Sequence, residues 1–403
     1  MSRITFSLEH IMDKVLEVIS EEEFLEGVRR ATISAEVKVA GILEHNPFIA
    51  ELAKEVKIVK EHVLNNIDEY IEETIKSLRS VNANPYLAES REEALEYIGK
   101  IVGKGKTVIM SKSMVAEEIG LREYLEAEGN EVWETDLGQL LIRLEGSKPM
   151  HSIAPAIHLT RDKVARLIRD KLGLDVTGDS PEGIVRKVRE FLREKFVSAE
   201  VGISGANAIA ADTGSVVLVE NEGNIRLVTG LPLRHIVVTG IDKIVPTLID
   251  AFKVAIVQAA YGGLYPPTYI NVISGPSSTA DIEHTRVYGA HGPLEVHVVL
   301  VDNGRRSALS DPDLKNQLRC VRCGRCQFEC PVWQHTANIW GGPAYGGPMG
   351  IAWTAITADI HGASSLAYLC LSCRRCEVVC PMEIPLERII RSLRRKYVVN
   401  LKA

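Results

Sequence analysis

The chain has 403 residues, 46% of them apolar, and a formal net charge of −6 at pH 7. That length serves two or three domains, and that apolar share suits a soluble globular protein with a buried core. The mild acidity argues against nucleic acid as a partner, and no apolar run reaches the length of a transmembrane segment. The acidic, helix-patterned start MSRITFSLEHIMDKVLEVIS is unlike an export signal, so a cytoplasmic protein is expected.

Residues 1–84 are expected to form an N-terminal helical region. Leu52, Val56, Val59, Val63, Ile67, Ile71, Ile75 and Leu78 recur at three- and four-residue steps, as on one buried helix face. The segment from Asn82 to Pro85 ends it. This region is read as packing or as an arm that faces a partner.

Residues 85–305 alternate β-branched runs with helical stretches. Ser90-x-x-Glu93 has the form of a capping box. KTVIM (106–110) reads as a strand, Val115 to Ala127 as an amphipathic helix, and Asn130 to Trp133 as a second strand. Helices are expected from near Thr160 and from Ser180-Pro181, where Ser caps and Pro suits the first turn. VGISG, SVVLVE, NIRLVTG, HIVVTG, YINVIS and HVVLVD follow as strands, with a helix after Pro246. Such alternation predicts a largely parallel sheet covered by helices. Only Asn221-Glu222-Gly223 joins SVVLVE to NIRLVTG, too short for a crossover, so those two are expected to form a hairpin.

Three segments of this α/β region place polar groups in apolar text. Lys112 and Ser113 stand at a strand-to-helix junction, where an ammonium and exposed amides suit an organic anion, although Ser113 also reads as a plain helix cap. Asn221, Glu222 and Asn224 are expected at a sheet end, where α/β folds place ligands. Ser277 and Thr279 lie in a Gly/Ser/Thr-rich loop able to cradle an anion with backbone amides. That loop lacks the Gly-Lys-Ser/Thr of an ATP P-loop, and no GxGxxG follows the first strand. His151, His158, His235, His291 and His297 have no metal-ligand spacing and are read as structural. No catalytic residue is assigned.

Residues 306–403 hold all 8 cysteines, in two arrays of identical spacing. The first is Cys320-x2-Cys323-x2-Cys326-x3-Cys330-Pro331; the second is Cys370-x2-Cys373-x2-Cys376-x3-Cys380-Pro381. Three thiolates on one tight loop converge on one face of a cubane, while the fourth points away to the other cluster. Two [4Fe-4S] clusters are therefore expected. One is held by Cys320, Cys323, Cys326 and Cys380, the other by Cys370, Cys373, Cys376 and Cys330. Structural zinc prefers two separated pairs, and disulfides suit small secreted domains. Arg319, Arg322, Arg325, Arg374 and Arg375 flank the arrays. They read equally well as cations that raise the cluster potential and as a basic docking surface. Helical patterning between the arrays and a basic amphipathic tail, PLERIIRSLRRKYVVN, predict an α-helical ferredoxin module. That tail also permits peripheral membrane contact.

The runs SKSMVAEEIGL (111–121), ETDLGQLLIRL (134–144), APAIH (154–158), GISGANAIAADTG (202–214), NEGNIRL (221–227) and VDNGR (301–305) resemble the LUD domain of lactate-utilisation iron–sulfur proteins. CVRCGRCQFECPVW and GGPAYGGPMG resemble the ferredoxin region of the same family. The resemblance implies an α/β domain similar to the NagB/RpiA/CoA-transferase fold. It implies an electron-transfer subunit of a complex that oxidises L-lactate to pyruvate. The partners would be a cysteine-rich subunit, a second LUD subunit or a flavin-bearing subunit. Two departures point to a divergent form: GPSSTADIE…GAHGP is closer to the cluster-free sister subunit, and little chain follows the second array. A heterodisulfide-reductase-like complex, and a LUD domain that itself binds or transforms a small organic anion, stay open as alternatives. With no flavin or nicotinamide fingerprint, binding is the expectation for the LUD domain.

Overall fold

A computed structural model describes residues 8–176, 178 and 180–400; residues 1–7 of the expected N-terminal helical region lie outside the described residues. The chain opens with helices Leu8–Ile19, Glu22–His45, Phe48–Asn65 and Ile67–Ser80. The apolar stripe expected on one helix face is shared by two. Asn66, with φ −129°, breaks the helix, and its amide nitrogen and side chain both turn back to carbonyls of the preceding turn. Val56 and Val63 are buried on one side of the break, Ile67, Ile71 and Leu78 on the other. These helices are packing, not a free arm. Phe48–Asn65 lies on the helix Leu248–Tyr261, and Glu22–His45 lies on the short helix Trp333–Thr336. One apolar core therefore joins Val28, Val56, Val254, Leu318 and Trp333.

The strands, in chain order, are β1 (Asn84–Ala88), β2 (Thr107–Met110), β3 (Glu131–Glu134), β4 (Val201–Ser204), β5 (Ala208–Ala210), β6 (Ser215–Glu220), β7 (Arg234–Gly240), β8 (Ile244–Val245), β9 (Tyr269–Ile273), β10 (Ser278–Thr279), β11 (Val287–Tyr288) and β12 (Glu295–Val301). Six of them form the expected parallel sheet, in the order β1-β12-β7-β4-β2-β3. Successive side chains point to opposite faces of a strand. Accordingly Val299 and Val301 join one core cluster with Ile203 and Ile236, while Val298 and Leu300 join another with Val237. Pro85 does not merely end the helical region. It enters the edge strand β1, where a missing N–H is tolerated.

Beside this sheet stands a second one that the sequence reading did not anticipate, in the order β8-β5-β6-β9, with β6 antiparallel to both β5 and β9. The expected hairpin between SVVLVE and NIRLVTG is absent, because NIRLVTG is the helix Asn224–Gly230. Glu220, 2% exposed, accepts the Arg226 N–H at 2.6 Å and pairs with its guanidinium, so the first turn of that helix is anchored. Gly202 of β4 lets the helix lie directly on the sheet: a Cβ there would stand 1.9 Å from the Val228 carbonyl oxygen. Tertiary packing has overridden the β propensity of Ile225, Val228 and Thr229.

The predicted caps at Ser90, Thr160 and Ser180 form, each accepting the N–H three residues on, and Thr247, which was not anticipated, does the same for the helix after Pro246. After β12 the chain is helical, with Gly347–Thr357, Ile360–Leu366 and Leu386–Asn400 as its longer pieces around Trp333, Trp340 and Trp353, all fully buried.

Candidate metal centre and adjoining cavity

Both cysteine arrays fold alike. A 3-10 turn (Leu314–Arg319, Ala367–Leu369) leads into a loop, and a single helical turn (Arg325–Phe328, Arg375–Val378) leaves it. Two left-handed residues curl each loop so that its thiols face inward: Arg322 and Gly324 in the first, Ser372 and Arg374 in the second. Backbone N–H groups point at sulfur, from Arg322 to Cys320 Sγ at 3.3 Å and from Ser372 to Cys370 Sγ at 3.4 Å. Such donors stabilise thiolates.

The eight thiols ring two small voids. Cys320, Cys323, Cys326 and Cys380 line one; Cys330, Cys370, Cys373 and Cys376 line the other. Among the described residues, no three Cys, His, Asp or Glu side chains converge as a single metal ion requires. Burial pushes the Cys330 thiol up to about 12 and the Cys380 thiol up to about 11. Thiolates in such places need a cationic partner, and iron supplies it. The donor set and its arrangement fit iron–sulfur clusters.

The five flanking arginines divide between the two readings open to them. At the first array they are internal: Arg322 pairs with Asp242, Arg319 with Glu61, Arg325 with Glu329. At the second array Arg374 and Arg375 are exposed, beside exposed Cys373, Leu371 and Val378. One thiol group is therefore interior and the other opens to the surface.

Arg322 belongs to a buried ionic chain that ties the first array to the α/β body. Its guanidinium meets Asp242 at 2.7 Å; Arg305 meets Asp242 at 2.6 Å and Glu118 at 2.7 Å; the Tyr345 hydroxyl donates to Glu118 at 2.7 Å. Burial alone would raise the Asp242 carboxyl, but Arg322 and Arg305 outweigh it and hold it well below the usual carboxylate range. Lys60 adds a donor to the Asp242 carbonyl. A second tie uses His151 and Ser152. His151 Nε2 lies 3.3 Å from the Gly324 carbonyl, and its ring stacks on Phe328 at 4.0 Å. Ser152 donates to Gln327 Oε1 at 2.8 Å. Burial drops the His151 pKa to about 3, so the ring is neutral.

Against this junction lies a cavity of about 570 Å³. Lys112, Ser113, Asn221, Glu222 and Asn224 all line it, brought together from two distant segments. Their states differ. Ser113 caps the helix Met114–Ile119. Asn221 Oδ1 accepts from Thr268, and Asn224 donates to the Thr135 hydroxyl at 3.1 Å. Glu222 accepts the Leu137 N–H at 3.2 Å; burial and the nearby Asp136 raise its pKa to about 7. Lys112 Nζ is buried without a hydrogen-bond partner, and desolvation lowers its pKa. Ser277 and Thr279 do not line the cavity. Thr279 belongs to the separate ribbon of β10 and β11, where it donates to Asp281 at 2.7 Å, and Ser277 immediately precedes that ribbon.

Among the further cavity residues that escaped the sequence reading are Lys243, 5% exposed, and Arg322 in its role as wall. The adjacent charges Asp242 and Lys243 inside the apolar run TGIDKIV were the available signal. His151 had none.

The LUD domain family matches residues 71–301, and the 4Fe-4S dicluster domain family matches residues 316–384. The chain is 36% identical over 341 residues to "Uncharacterized electron transport protein YkgF" of Escherichia coli (strain K12), covering 84% of this chain and 70% of that one. It is 36% identical over 344 residues to "Lactate utilization protein B" of Bacillus subtilis (strain 168), with the same shares. The protein of that name from Oceanobacillus iheyensis is 37% identical over 337 residues, or 83% and 68% of the two chains. A crystal structure of a DUF162 family protein from Deinococcus radiodurans overlays 58% of this chain and 98% of its own at 16% identity and TM-score 0.30. Both domain families occur in sequence, and the alignments run through most of each relative: the chain belongs to the LUD-domain iron–sulfur proteins, alongside those named lactate utilization protein B.

Proposed function

We propose that this chain is the iron–sulfur electron-transfer subunit of a multi-subunit oxidoreductase that converts L-lactate to pyruvate. The observation that carries the reading is the pair of thiol rings, each completed by a cysteine from the other array. On that basis the chain holds two [4Fe-4S] clusters. Cys320, Cys323, Cys326 and Cys380 bind the inner one, and Cys370, Cys373, Cys376 and Cys330 the outer one. When bound, the clusters supply one-electron carriage, and lactate oxidation releases two electrons and two protons.

The chain's own residues set the surroundings. Arg319, Arg322 and Arg325 place positive charge inside, near the first array, while exposed Arg374, Arg375, Leu371 and Val378 form an apolar and basic rim at the second. That rim suits a docked redox subunit: a cysteine-rich subunit, a second LUD subunit or a flavin-bearing one. The lactate assignment rests on the kinship with the proteins named lactate utilization protein B. We read residues 8–84 as a helical brace, 85–305 as the LUD domain and 306–400 as the ferredoxin domain. No helix among the described residues is long and apolar enough to cross a membrane.

The test is anaerobic reconstitution with iron and sulfide, followed by metal analysis and EPR. About eight irons per chain and two cubane signals are expected. Cys380→Ser should alter the same signal as Cys320→Ser, and Cys330→Ser the same signal as Cys373→Ser. Zinc in place of iron would defeat the reading, as would Cys380→Ser and Cys373→Ser altering one common signal. Native purification bears on the substrate: a flavin-bearing disulfide reductase as partner overturns lactate and leaves electron transfer standing.

A further inference from the structure

The cavity in the LUD domain and the void ringed by Cys320, Cys323, Cys326 and Cys380 are neighbours through shared walls. Arg322 lines the cavity, and its backbone N–H donates to Cys320 Sγ at 3.3 Å. Ser152 lines the cavity and Gly324 lines the void; a Cβ on Gly324 would stand 2.6 Å from Ser152 Oγ, so nothing separates the two. Whatever sits in the cavity therefore lies next to the inner thiol group, not the outer.

The polar groups of the cavity decide the sign of its ligand. Its acids are already committed. Asp136 accepts the Gln139 N–H at 2.8 Å, Glu222 accepts from Leu137, and Glu220 is paired with Arg226. Its lysines are not. Lys112 Nζ is buried with no hydrogen-bond partner, and buried Lys243 lines the same cavity; burial lowers the pKa of both, so a bound anion would hold them charged, while Arg322 keeps Asp242 as its partner. An ammonium left unpartnered in the interior is costly, so the site is built to be completed by an anion. The remaining surface, from Ile153, Ile157, Leu218, Val238 and Leu264, is apolar. A volume of about 570 Å³ is far more than a three-carbon acid fills, and it falls within the range usual for larger organic ligands.

We infer that this cavity binds an organic carboxylate with an apolar body, its head on Lys112 and Lys243, and that the cluster on Cys320, Cys323, Cys326 and Cys380 senses its presence. The inference rests on the electron-transfer reading above and names the ligand class and its coupling. A negative charge beside a cluster disfavours adding an electron, so the bound ligand lowers the potential of the inner cluster. By linkage the oxidised protein then binds the ligand more tightly than the reduced one. Each tenfold difference in affinity between the two redox states is a shift of about 59 mV for one electron.

The experiment is an EPR-monitored potentiometric titration of the full chain, reconstituted with iron and sulfide, alone and with pyruvate or phenylpyruvate. One of the two reduction steps should move to lower potential and the other should stay. Phenylpyruvate should reach the half-maximal shift at a concentration at least about tenfold below that of pyruvate, because its ring is buried. Lys112→Met and Lys243→Met should each remove the shift with both EPR signals intact; if one of them fails to fold, the other decides. With both clusters formed, three results overturn the inference: neither acid moves a step, both steps move equally, or the shift survives in the variants. Equal potency of pyruvate and phenylpyruvate overturns the apolar body. Failure to form clusters overturns the electron-transfer reading instead.

Discussion

Single charges in this protein are set by what is buried beside them, and Glu134 shows the consequence for pH. It closes β3, is 2% exposed, and faces Glu117, with Arg122 only at 4.0 Å. Burial, then repulsion from Glu117, raises its pKa to about 8. A carboxyl whose folded pKa is raised contributes stability below its unfolded pKa, and that contribution is lost as pH rises through the folded value. The window therefore runs from pH 4.5 to about 8. Glu134→Gln keeps the shape and removes the titration. Its melting temperature should match the parent at pH 5 and exceed it by several degrees at pH 9. Equal melting at both pH values would mean that Glu134 keeps its ordinary pKa.

At the level of elements, the close approach of Asn224–Gly230 to β4 is the contact that shapes the cavity mouth. The helix begins one residue beyond Gly223, so its position sets where Glu222 and Asn224 stand. Gly202→Ala puts a Cβ against the Val228 carbonyl and forces the helix outward. We expect a loss of about 1–3 kcal/mol, read by urea denaturation. The same helix shows where sequence reading stops. Seven residues rich in Ile, Val and Thr look like a strand, and nothing local announces that Glu220 will anchor the first turn. The parallel sheet was legible because Val, Ile and Leu fill both faces of β7 and β12 in unbroken runs. The caps were legible because Ser, Thr and Pro act within three residues of themselves. The second sheet was not, since β5 has three residues and β8 two, too short to show a period.

For the molecule as a whole, the Asp242 junction is the main polar bond between the cysteine region and the α/β body. Asp242 sits between Arg305 and Arg322, both buried. Asp242→Asn leaves buried Arg322 without its carboxylate and Arg305 with Glu118 alone. We expect a loss of about 3–5 kcal/mol. The inner cluster should also be lost to a chelator faster than the outer one, read by the decay of its EPR signal. Parallel decay of both signals would mean that the junction does not guard the inner site. The cysteine spacing told the ligand chemistry in advance, because a loop that wraps a cubane is written in consecutive residues. The cavity could not be foreseen in the same way. Lys112, Glu222, Lys243 and Arg322 come from segments that only the fold brings together.

The three inner-loop thiols, each 8% exposed, lie under the ties made by Arg322, His151 and Ser152. That enclosure has a bearing on biogenesis. A delivery protein carrying preassembled iron and sulfide has no approach to Cys320, Cys323 and Cys326 once the two bodies have closed. Loading of that site is therefore expected before the two bodies close, and the site around exposed Cys373 is expected to stay accessible afterwards.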